Sequence, residues 1–566
     1  MPKPPVTESQ SANGLSVKLW RGERMVLIGM DVDAPEADLV GFSIEVQSPG
    51  SPVFMPLRNR LNFSYGDKPA DKSVDGFRNF DSTQAPFQKF RWTHFPQNPK
   101  DGVYQYRVTK QHMHDDGTLH AGTSITAGIN LQTSIYDGFL DVGFTRGYAS
   151  SQAYAEKYGN NPKVIPVDAN TGLDFKKLPG DVYEWLGFEA QQLLFAVLDE
   201  VVGDATLTLD VMAYDFNEPD VVTRLEKMGP RVRAIIDDSK GHGDAADAES
   251  QAAARLATSA GAGNVHRMHF STLQHNKVLI VKRNGAPYKV LFGSTNFSFR
   301  GLYIQANNTL VFQAPDVVSL LMDYFEQAFT DPKKFSSKPI AGKWHDVNIP
   351  GRPPLSLCLS PHTDAALSLG RIGDAIGAAA SSVFFCIAFL NQAKTGAVRE
   401  AIDALQGKPL FSYGISDRAG GLTVHKPDGT FGIVDFQFLA KHAPEPFSSE
   451  WSGGAGIHEH NKFVVVDFNL PTARVYTGSC NMSESGEENN GDNLICIQDP
   501  RVATSYAIQA ILIFDHLEFR TAMKGAAEPK SLTLAKPKSL SGQPAWFEKY
   551  YAADSQRERD RKLFAH

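Results

Sequence analysis

The sequence predicts an all-β N-terminal sandwich followed by two α/β lobes. Short segments rich in β-branched and aromatic residues, separated by turns with Gly, Pro and Asp, indicate strands in the N-terminal part. Further along, apolar strand-like runs alternate with segments of helical spacing, and this order occurs twice. We therefore predict a sandwich over 1–132, a first lobe over 133–335, a linker rich in Pro, Gly and Lys over 336–354, a second lobe over 355–525 and a tail over 526–566.

Composition and charge restrict the class of protein. The chain has 566 residues, 42% of them hydrophobic and 21% charged, with a net charge of −7, so several domains and ordinary globular folding are expected. The absence of a basic excess makes nucleic acid the less favoured partner. The first residues contain no apolar signal core, and no run approaches the ~18 apolar residues of a membrane span. We expect a cytoplasmic protein, or one exported without a signal peptide.

Two features of the N-terminal part deserve separate mention. The segments GFSIEVQ and YQYRV, with Trp92 between them, resemble strands of fibronectin type III or immunoglobulin-like domains. The segment QHMHDDGTLH is consistent with a metal site or with a hairpin whose turn is Asp116–Gly117, and the hairpin is favoured. The side chains that could bind a metal there are His112, His114, Asp115, Asp116 and His120.

A long internal repeat is the strongest signal in the sequence. HNKVLIVKRNGAPYKVLFGSTNFS runs from His275 to Ser298, and HNKFVVVDFNLPTARVYTGSCNMS runs from His460 to Ser483. The matching residues lie at one constant, ungapped spacing, which is very improbable by chance. Each copy has the pattern H-x-K, an apolar strand, a second apolar strand and G-S-x-N.

The repeat has the groups needed to cleave a phosphodiester. Side chains alternate along a strand, so the His and Lys of H-x-K share one face. Two copies that converge supply cations and amides to stabilise charge on phosphate oxygens, one His to attack phosphorus and one to protonate the leaving oxygen. This chemistry needs no metal and no cofactor. The predicted catalytic residues of the repeat are His275, Lys277, Asn296, His460, Lys462 and Asn481, and the two serines, Ser294 and Ser479, are predicted to bind substrate.

These motifs resemble the phospholipase D superfamily, whose signature H-x-K-x4-D followed by G-S-x-N occurs twice. The second copy matches fully and includes Asp467, whereas Lys282 takes the Asp position in the first copy. In the family that Asp is usually structural. The resemblance implies two lobes related by a pseudo-twofold axis, each a mixed sheet with helices on both faces, and a covalent phosphohistidine intermediate.

In this family an acidic or amide residue downstream of G-S-x-N orients the His of its own copy. The same distance from each His leads to Asn307 and Asp492, so we expect Asn307 to orient His275 and Asp492 to orient His460. A carboxylate favours the imidazolium form, which would make His460 the general acid and His275 the nucleophile. Glu487 and Glu488 are alternative partners.

Two further histidines lie near the motifs in sequence. His458 would share a strand face with His460, where it either lines the mouth of the pocket as a substrate-binding residue or is exposed. His242, with Asp244 and Asp247, is interpreted as a mobile insert or helix start beside the pocket rather than a metal site.

The substrate stays open between classes. We favour a phospholipase D that hydrolyses, or transfers part of, a phospholipid, because of the acidic composition. The alternative is a nuclease or an enzyme like tyrosyl-DNA phosphodiesterase, and the least favoured is a non-catalytic binding protein. We expect a monomer whose partners are the phospholipid or another phosphodiester, with membrane contact at most peripheral.

Overall fold

The computed structural model describes residues 3–65, 79–96, 98–132, 134–147, 151–169, 172–418, 421–435, 457–521 and 532–566. The predicted domain boundaries at 133 and 526 fall outside these residues. No helix in the described ranges is long and apolar enough to cross a membrane.

The N-terminal domain is all-β, as predicted. Two four-stranded antiparallel sheets, β1-β2-β3-β8 and β10-β9-β4-β5, bury one apolar core that includes Val17, Ile28, Phe42 and Val108. A short pair, β6 and β7, lies outside them. The strands are β1 Thr7–Ala12, β2 Leu15–Arg21, β3 Val26–Val32, β4 Leu39–Gln47, β5 Met55–Pro56, β6 Arg58–Asn59, β7 Phe80–Asp81, β8 Arg91–His94, β9 Gly102–Met113 and β10 Leu119–Leu131.

The first lobe is one mixed seven-stranded sheet with helices. Its strand order is β11-β17-β16-β15-β12-β13-β14, with β12, β13 and β14 parallel and the other pairs antiparallel. Its elements are β11 Leu140–Phe144, α1 Gln152–Tyr158, α2 Val182–Gly203, β12 Leu207–Ala213, α3 Pro219–Met228, β13 Val232–Ile236, α4 Ala248–Ala260, β14 Val265–Arg267, β15 Val278–Arg283, β16 Ala286–Gly293, α5 Phe299–Tyr303, β17 Asn308–Phe312 and α6 Pro315–Thr330.

The second lobe repeats this topology. Its order is β18-β19-β25-β24-β23-β20-β21-β22, which matches the first lobe strand for strand apart from the added edge strand β18. Its elements, with the C-terminal helices, are β18 His345–Val347, β19 Leu355–Leu359, α7 Ala366–Gly377, β20 Ser382–Ile387, α8 Ala397–Gln406, β21 Phe411–Ser416, β22 Ile433–Asp435, β23 Lys462–Val466, β24 Arg474–Gly478, α9 Glu484–Asn489, β25 Asn493–Ile497, α10 Pro500–Thr521, α11 Lys538–Ser541 and α12 Gln556–Ala565.

Both motif strands are buried on two faces. In β15, Ile280 packs into a core that the two lobes share with α6 and α10, whereas Leu279 packs against α2, α3 and α4. In β23, Val465 faces the shared core and Val464 faces α7 and α8. Continuous apolar runs are what doubly covered strands require. The shared core fixes the two motif strands relative to each other.

The segment predicted as a linker and the C-terminal tail both pack against the domains. Strand β18 lies inside the predicted linker 336–354 and pairs with β19, so this segment extends the second sheet. The C-terminal tail does pack through Trp546, Phe547 and Tyr550, which are buried in the core of the sandwich. It also packs through α12, which the sequence did not predict.

Helix α12 was missed because its contacts are largely polar. Trp20 Nε1 donates a hydrogen bond of 2.8 Å to the Phe564 carbonyl. Asp560 accepts hydrogen bonds from Arg91 of the sandwich at 2.5 Å and from Tyr413 of the second lobe at 3.1 Å. Helix α12 therefore joins the N-terminal domain to the second lobe.

Candidate active site

The two H-x-K segments meet at the interface between the lobes through main-chain hydrogen bonds. The His275 N–H donates to the Gly491 carbonyl at 2.9 Å, and the His460 N–H donates to the Ala306 carbonyl at 3.1 Å. Parallel bridges pair Gln274 with Gly491 and Ala306 with Glu459. The start of each H-x-K strand thus lies beside the segment that follows G-S-x-N in the other copy.

This arrangement exchanges the orienting residues between the copies. His275 Nδ1 lies 2.7 Å from Asp492 Oδ1, and His460 Nδ1 lies 2.9 Å from Asn307 Oδ1. The prediction that each residue orients the His of its own copy is therefore wrong. Equal spacing identified equivalent positions correctly, but the main-chain bridges place those positions across the interface.

The alternative partners do not orient either imidazole. Glu487 is buried and accepts hydrogen bonds from Ser368 and from His362 Nε2, the latter at 3.1 Å, and Glu488 is exposed. Both orienting positions are thus filled by the residues that follow G-S-x-N.

The serines of G-S-x-N form hydrogen bonds with the orienting residues and do not line the cavity. Ser294 Oγ donates to Asn307 Oδ1 at 2.8 Å, and Ser479 Oγ donates to Asp492 Oδ1 at 2.6 Å. Both serines are fully buried, and neither lines the cavity. Their predicted role in substrate binding does not fit this placement. They are positioning residues, because each hydroxyl is committed to the side chain that holds a histidine.

The two lysines lie on the histidine face of their strands, as the H-x-K spacing predicts. Lys462 Nζ donates to the His460 carbonyl at 2.8 Å, and Lys277 Nζ donates to the His275 carbonyl. Both lysines are fully buried, and Lys277 Nζ lies 4.8 Å from the centre of the Tyr214 ring. Each lysine side chain is therefore held against the main chain of its own motif histidine.

A cavity of about 340 Å³ lies between the two motifs. His275 and His460, the two histidines predicted to be catalytic, line it together with the amide-bearing residues Asn296 and Asn481. His242 also lines it, and His242 Nδ1 lies 3.0 Å from Asp237. The remaining lining residues among those described are Tyr214, Asp215, Leu273, Gln305, Phe389, Gln392, Ile457 and Ser483.

His458 is not among the described lining residues. It is buried, and its N–H donates to Asp417 Oδ1 at 3.0 Å, so neither predicted place, at the mouth of the pocket or exposed to solvent, fits. Tyr214 and Asp215, by contrast, were not singled out from the sequence. They directly follow β12, a parallel strand, and the carboxyl ends of such strands commonly form binding sites.

Asp215 helps to hold the first G-S-x-N segment. Asp215 Oδ2 accepts hydrogen bonds from Asn296 Nδ2 at 3.4 Å and from Ser298 Oγ at 2.8 Å. The Asn296 amide is therefore fixed where it can contact an oxygen of a substrate in the cavity.

Hydrogen bonding fixes the tautomer of both imidazoles. Asn307 Nδ2 donates to the Gly301 carbonyl at 2.9 Å, so its Oδ1 faces His460 and accepts the Nδ1 proton. Asp492 accepts the Nδ1 proton of His275 in the same way. Nε2 is left in each ring as the nitrogen that can act on a substrate.

Burial disfavours the positively charged forms of the histidines and lysines in this site. It lowers the pKa of His275 to about 4, with Lys277 adding to the effect and Asp492 opposing it. Burial, Lys462, Lys277 and His275 lower the pKa of His460 well below its usual value. Burial also lowers the pKa of Lys277 to about 7. A bound anion would favour the charged forms, so the site is suited to a negatively charged substrate.

The departure from the motif at Lys282 has a structural explanation. Asp467 accepts hydrogen bonds from the N–H groups of Ala380, Ser381 and Ser382 at the start of β20. In the first copy Lys282 Nζ instead donates to Asp210 Oδ2 at 2.6 Å. Both contacts join the motif strand to its neighbour, and neither residue lines the cavity.

Exchanging the orienting residues should show the crossed pairing directly. In Asp492→Asn the pKa of His275 should fall further, because its carboxylate partner is lost, whereas in Asn307→Asp the pKa of His460 should rise. Histidine titrations followed by NMR measure both shifts. Glu487→Gln is the matched control, since it removes a buried carboxylate that contacts His362 instead. A shift confined to His460 in Asp492→Asn would contradict the crossed pairing.

The buried Lys277 should make stability depend on pH. Its pKa is about 7 in the folded state and near 10.5 in the unfolded chain, so the unfolded state binds more protons between these values. The free energy of unfolding should therefore gain a contribution that increases as pH rises from about 7 to 10.5. Urea unfolding across this range should show a smaller increase in Lys277→Met. The exposed Lys333→Met should keep the wild-type slope, and an unchanged slope in Lys277→Met would count against the buried ammonium.

Comparisons with known proteins find one family model that is similar to part of the first lobe. Residues 198–329 match the family model described as cardiolipin synthase, PLD-like domain. No curated protein sequence matches the chain at a significant level.

Solved structures with similarity include phosphatidylserine synthase from Haemophilus influenzae, at 12% identity and a TM-score of 0.42, over 66% of this chain and 93% of that one. Nuc from Salmonella typhimurium, a phospholipase D family member, is 22% identical at a TM-score of 0.19, over 24% and 86%. Polyphosphate kinase from Porphyromonas gingivalis is 13% identical at 0.38, over 59% of this chain, which spans about half (48%) of that protein. Similarities at this level carry no argument about substrate. The family match lies within the first lobe, and the motif of that lobe is repeated in the second, so this part of the chain is similar to the PLD-like domain family.

Proposed function

We propose that the protein is a phospholipase D that hydrolyses a phospholipid through a phosphohistidine intermediate. The observation that carries the proposal is the placement of two histidines from different lobes on one cavity, each anchored through Nδ1. Anchoring leaves both Nε2 atoms available to one substrate. Two imidazoles in this arrangement can divide the work of nucleophile and general acid.

The crossed pairing removes the ground on which the sequence argument made His460 the general acid, because Asp492 holds His275 instead, but it supports His275 as the nucleophile on a different ground. When His275 Nε2 bonds to phosphorus and the bond to the leaving oxygen breaks, the phosphorylated ring carries positive charge. The carboxylate of Asp492 at Nδ1 stabilises that charge, whereas an amide at the same position does so less well. The amide-held ring, His460, then acts as the acid.

Proton transfer completes the cycle. Protonated His460 gives its Nε2 proton to the leaving oxygen and becomes neutral. It next accepts a proton from a water molecule that attacks phosphorus, and the bond to His275 breaks. Asn296 and Asn481 line the cavity and can donate hydrogen bonds to phosphate oxygens, while the two buried lysines stabilise their negative charge.

The lining of the cavity favours a lipid over a polynucleotide. Tyr214, Leu273, Phe389 and Ile457 supply apolar surface. Among the described residues that line it there is no lysine or arginine, and Asp215 adds negative charge. Proteins that follow a nucleic-acid backbone neutralise several phosphates with basic side chains. A single phosphodiester with apolar substituents fits this cavity better.

Trapping the intermediate tests the division of labour. In His460→Asn, a diester with a good leaving group such as bis-p-nitrophenyl phosphate should still phosphorylate the enzyme, because its leaving oxygen needs no proton. Loss of the general acid should slow turnover of a phospholipid by about 10²–10⁴-fold. Mass spectrometry of the quenched protein should locate the phosphate on His275. His275→Asn is the control and should not be labelled, and label on residue 460 in the wild-type protein would overturn the assignment.

A parallel assay tests the substrate class. With chelator present, the pure protein should release headgroup from vesicles of phosphatidylcholine or phosphatidylethanolamine faster than it degrades single-stranded DNA. His275→Asn should abolish the activity, because it removes the nucleophile. Degradation of DNA with inert vesicles would favour the nuclease alternative. Equal activity of wild type and His275→Asn on every substrate would indicate a non-catalytic protein.

A further inference from the structure

A cluster of potential metal ligands lies in the N-terminal sandwich, in a different domain from the active site. His112 lies in β9 and pairs across the ladder with His120 in β10. On the other side of β9, His112 pairs with Leu39, directly after Asp38. Directly opposed residues on neighbouring strands have Cβ atoms about 4.5–5.5 Å apart. Strands β9 and β10 and the turn residue directly before β4 thus hold these side chains together.

The three side chains come close enough to share one ion. One nitrogen or oxygen atom from each lies within 4.8 Å of the others. His112 Nδ1 is 2.9 Å from Asp38 Oδ1, and the rings of His112 and His120 stack with their centres 5.3 Å apart. Two ligand atoms on a tetrahedral zinc ion are separated by roughly 3.4 Å, given bonds of about 2.1 Å. Small side-chain adjustments would bring the set to that geometry.

Two details indicate that the imidazoles are held for a ligand. His120 Nδ1 is buried, and no group in the described part of the chain forms a hydrogen bond with it. Leaving a buried nitrogen unpaired costs free energy, so such atoms call for an explanation such as an ion. A Cβ atom at Gly122 would lie 2.5 Å from His112 Nε2, so the glycine makes room for this ring.

Neighbouring polar residues have other roles. Asp116 Oδ1 accepts hydrogen bonds from Thr118 N and Oγ1, which commits it to the hairpin turn. His114 stacks on His120 with ring centres 3.9 Å apart and supports that ring. Of the five residues in the sequence cluster, His112 and His120 therefore belong to the set, and Asp38 joins them from a distant segment.

We propose that Asp38, His112 and His120 bind a divalent transition-metal ion of the zinc type. Two imidazoles and one carboxylate suit Zn²⁺ and its neighbours better than Mg²⁺ or Ca²⁺, which prefer oxygen ligands alone. An ion there would join β4, β9 and β10 and stabilise the folded sandwich. The site is separate from phosphodiester cleavage, so each proposal can fail without the other.

Binding of Zn²⁺ and Co²⁺ to the full-length, tag-free protein tests the proposal. The His275→Asn/His460→Asn background removes the catalytic imidazoles as competing ligands. Calorimetry should show one saturable site, and Co²⁺ should give the visible absorption of a tetrahedral complex. His120→Phe keeps the stacked ring but removes the nitrogen, and Asp38→Asn removes the charge of the carboxylate. Each of these two variants should bind Zn²⁺ more than about 100-fold more weakly, since even changes to outer-shell residues cost about 10–100-fold in metal affinity.

The controls separate metal binding from damage to the fold. His114→Phe alters a neighbouring ring outside the set and should bind Zn²⁺ as the parent does. Circular dichroism of the metal-free variants checks that each is folded. Zn²⁺ should raise the thermal midpoint of the parent and of His114→Phe but not of His120→Phe. No saturable binding, or binding that His120→Phe and Asp38→Asn leave unchanged, would overturn the site, as would equal loss in His114→Phe.

Discussion

The candidate active site depends on main-chain hydrogen bonds that run between the two lobes in both directions. Main-chain bonds from His275 to Gly491 and from His460 to Ala306 place each H-x-K segment against the other copy. Because the orienting side chains Asp492 and Asn307 follow directly on those bridges, each lobe holds the imidazole of its partner. Neither lobe has a complete histidine site alone. The shared apolar core, which includes α6 and α10, holds the two lobes in the relative position that these hydrogen bonds require.

Further hydrogen bonds between the lobes involve the residues next to the histidines and the orienting residues. Asn493 Nδ2 donates to Asn276 Oδ1 at 2.9 Å, and Asn308 Nδ2 donates to Asn461 Oδ1 at 3.3 Å. These four asparagines are buried, and each has an amide atom paired across the lobes, whereas Asn461 Nδ2 and Asn493 Oδ1 form no hydrogen bond within the described residues. The interface is therefore polar at its centre and apolar around it. Such networks specify one arrangement of the lobes, because a shift of register would leave several buried amides unpaired.

Local pattern and repetition made most of the architecture predictable. Apolar runs such as VLIV in the first copy predicted buried strands, and the ungapped repeat predicted two lobes with the same strand order. The alternation of H-x-K predicted that Lys277 and Lys462 share a face with their histidines, which the structure shows. All these features follow from periodicity within a short segment.

Contacts between segments that are distant in sequence could not be predicted from periodicity within short segments. Equal spacing found Asn307 and Asp492 but could not tell which lobe each would face. The serines of G-S-x-N were assigned to substrate because hydroxyl groups can donate to phosphate, but burial commits them to the orienting residues. Asp38 and helix α12 escaped notice for the same reason, since their partners lie far away in sequence.

Having both copies in one chain permits the two histidines to differ. Two identical copies related by an exact twofold axis would present the same partner to each imidazole. Here one ring faces a carboxylate and the other an amide, although the surrounding main-chain contacts are equivalent. A carboxylate stabilises a positively charged ring, whereas an amide fixes the tautomer without adding charge. The proposed cleavage needs one imidazole that becomes covalently charged and one that releases its proton. Under that proposal, equivalent main-chain contacts with different side-chain partners would meet both needs in one cavity.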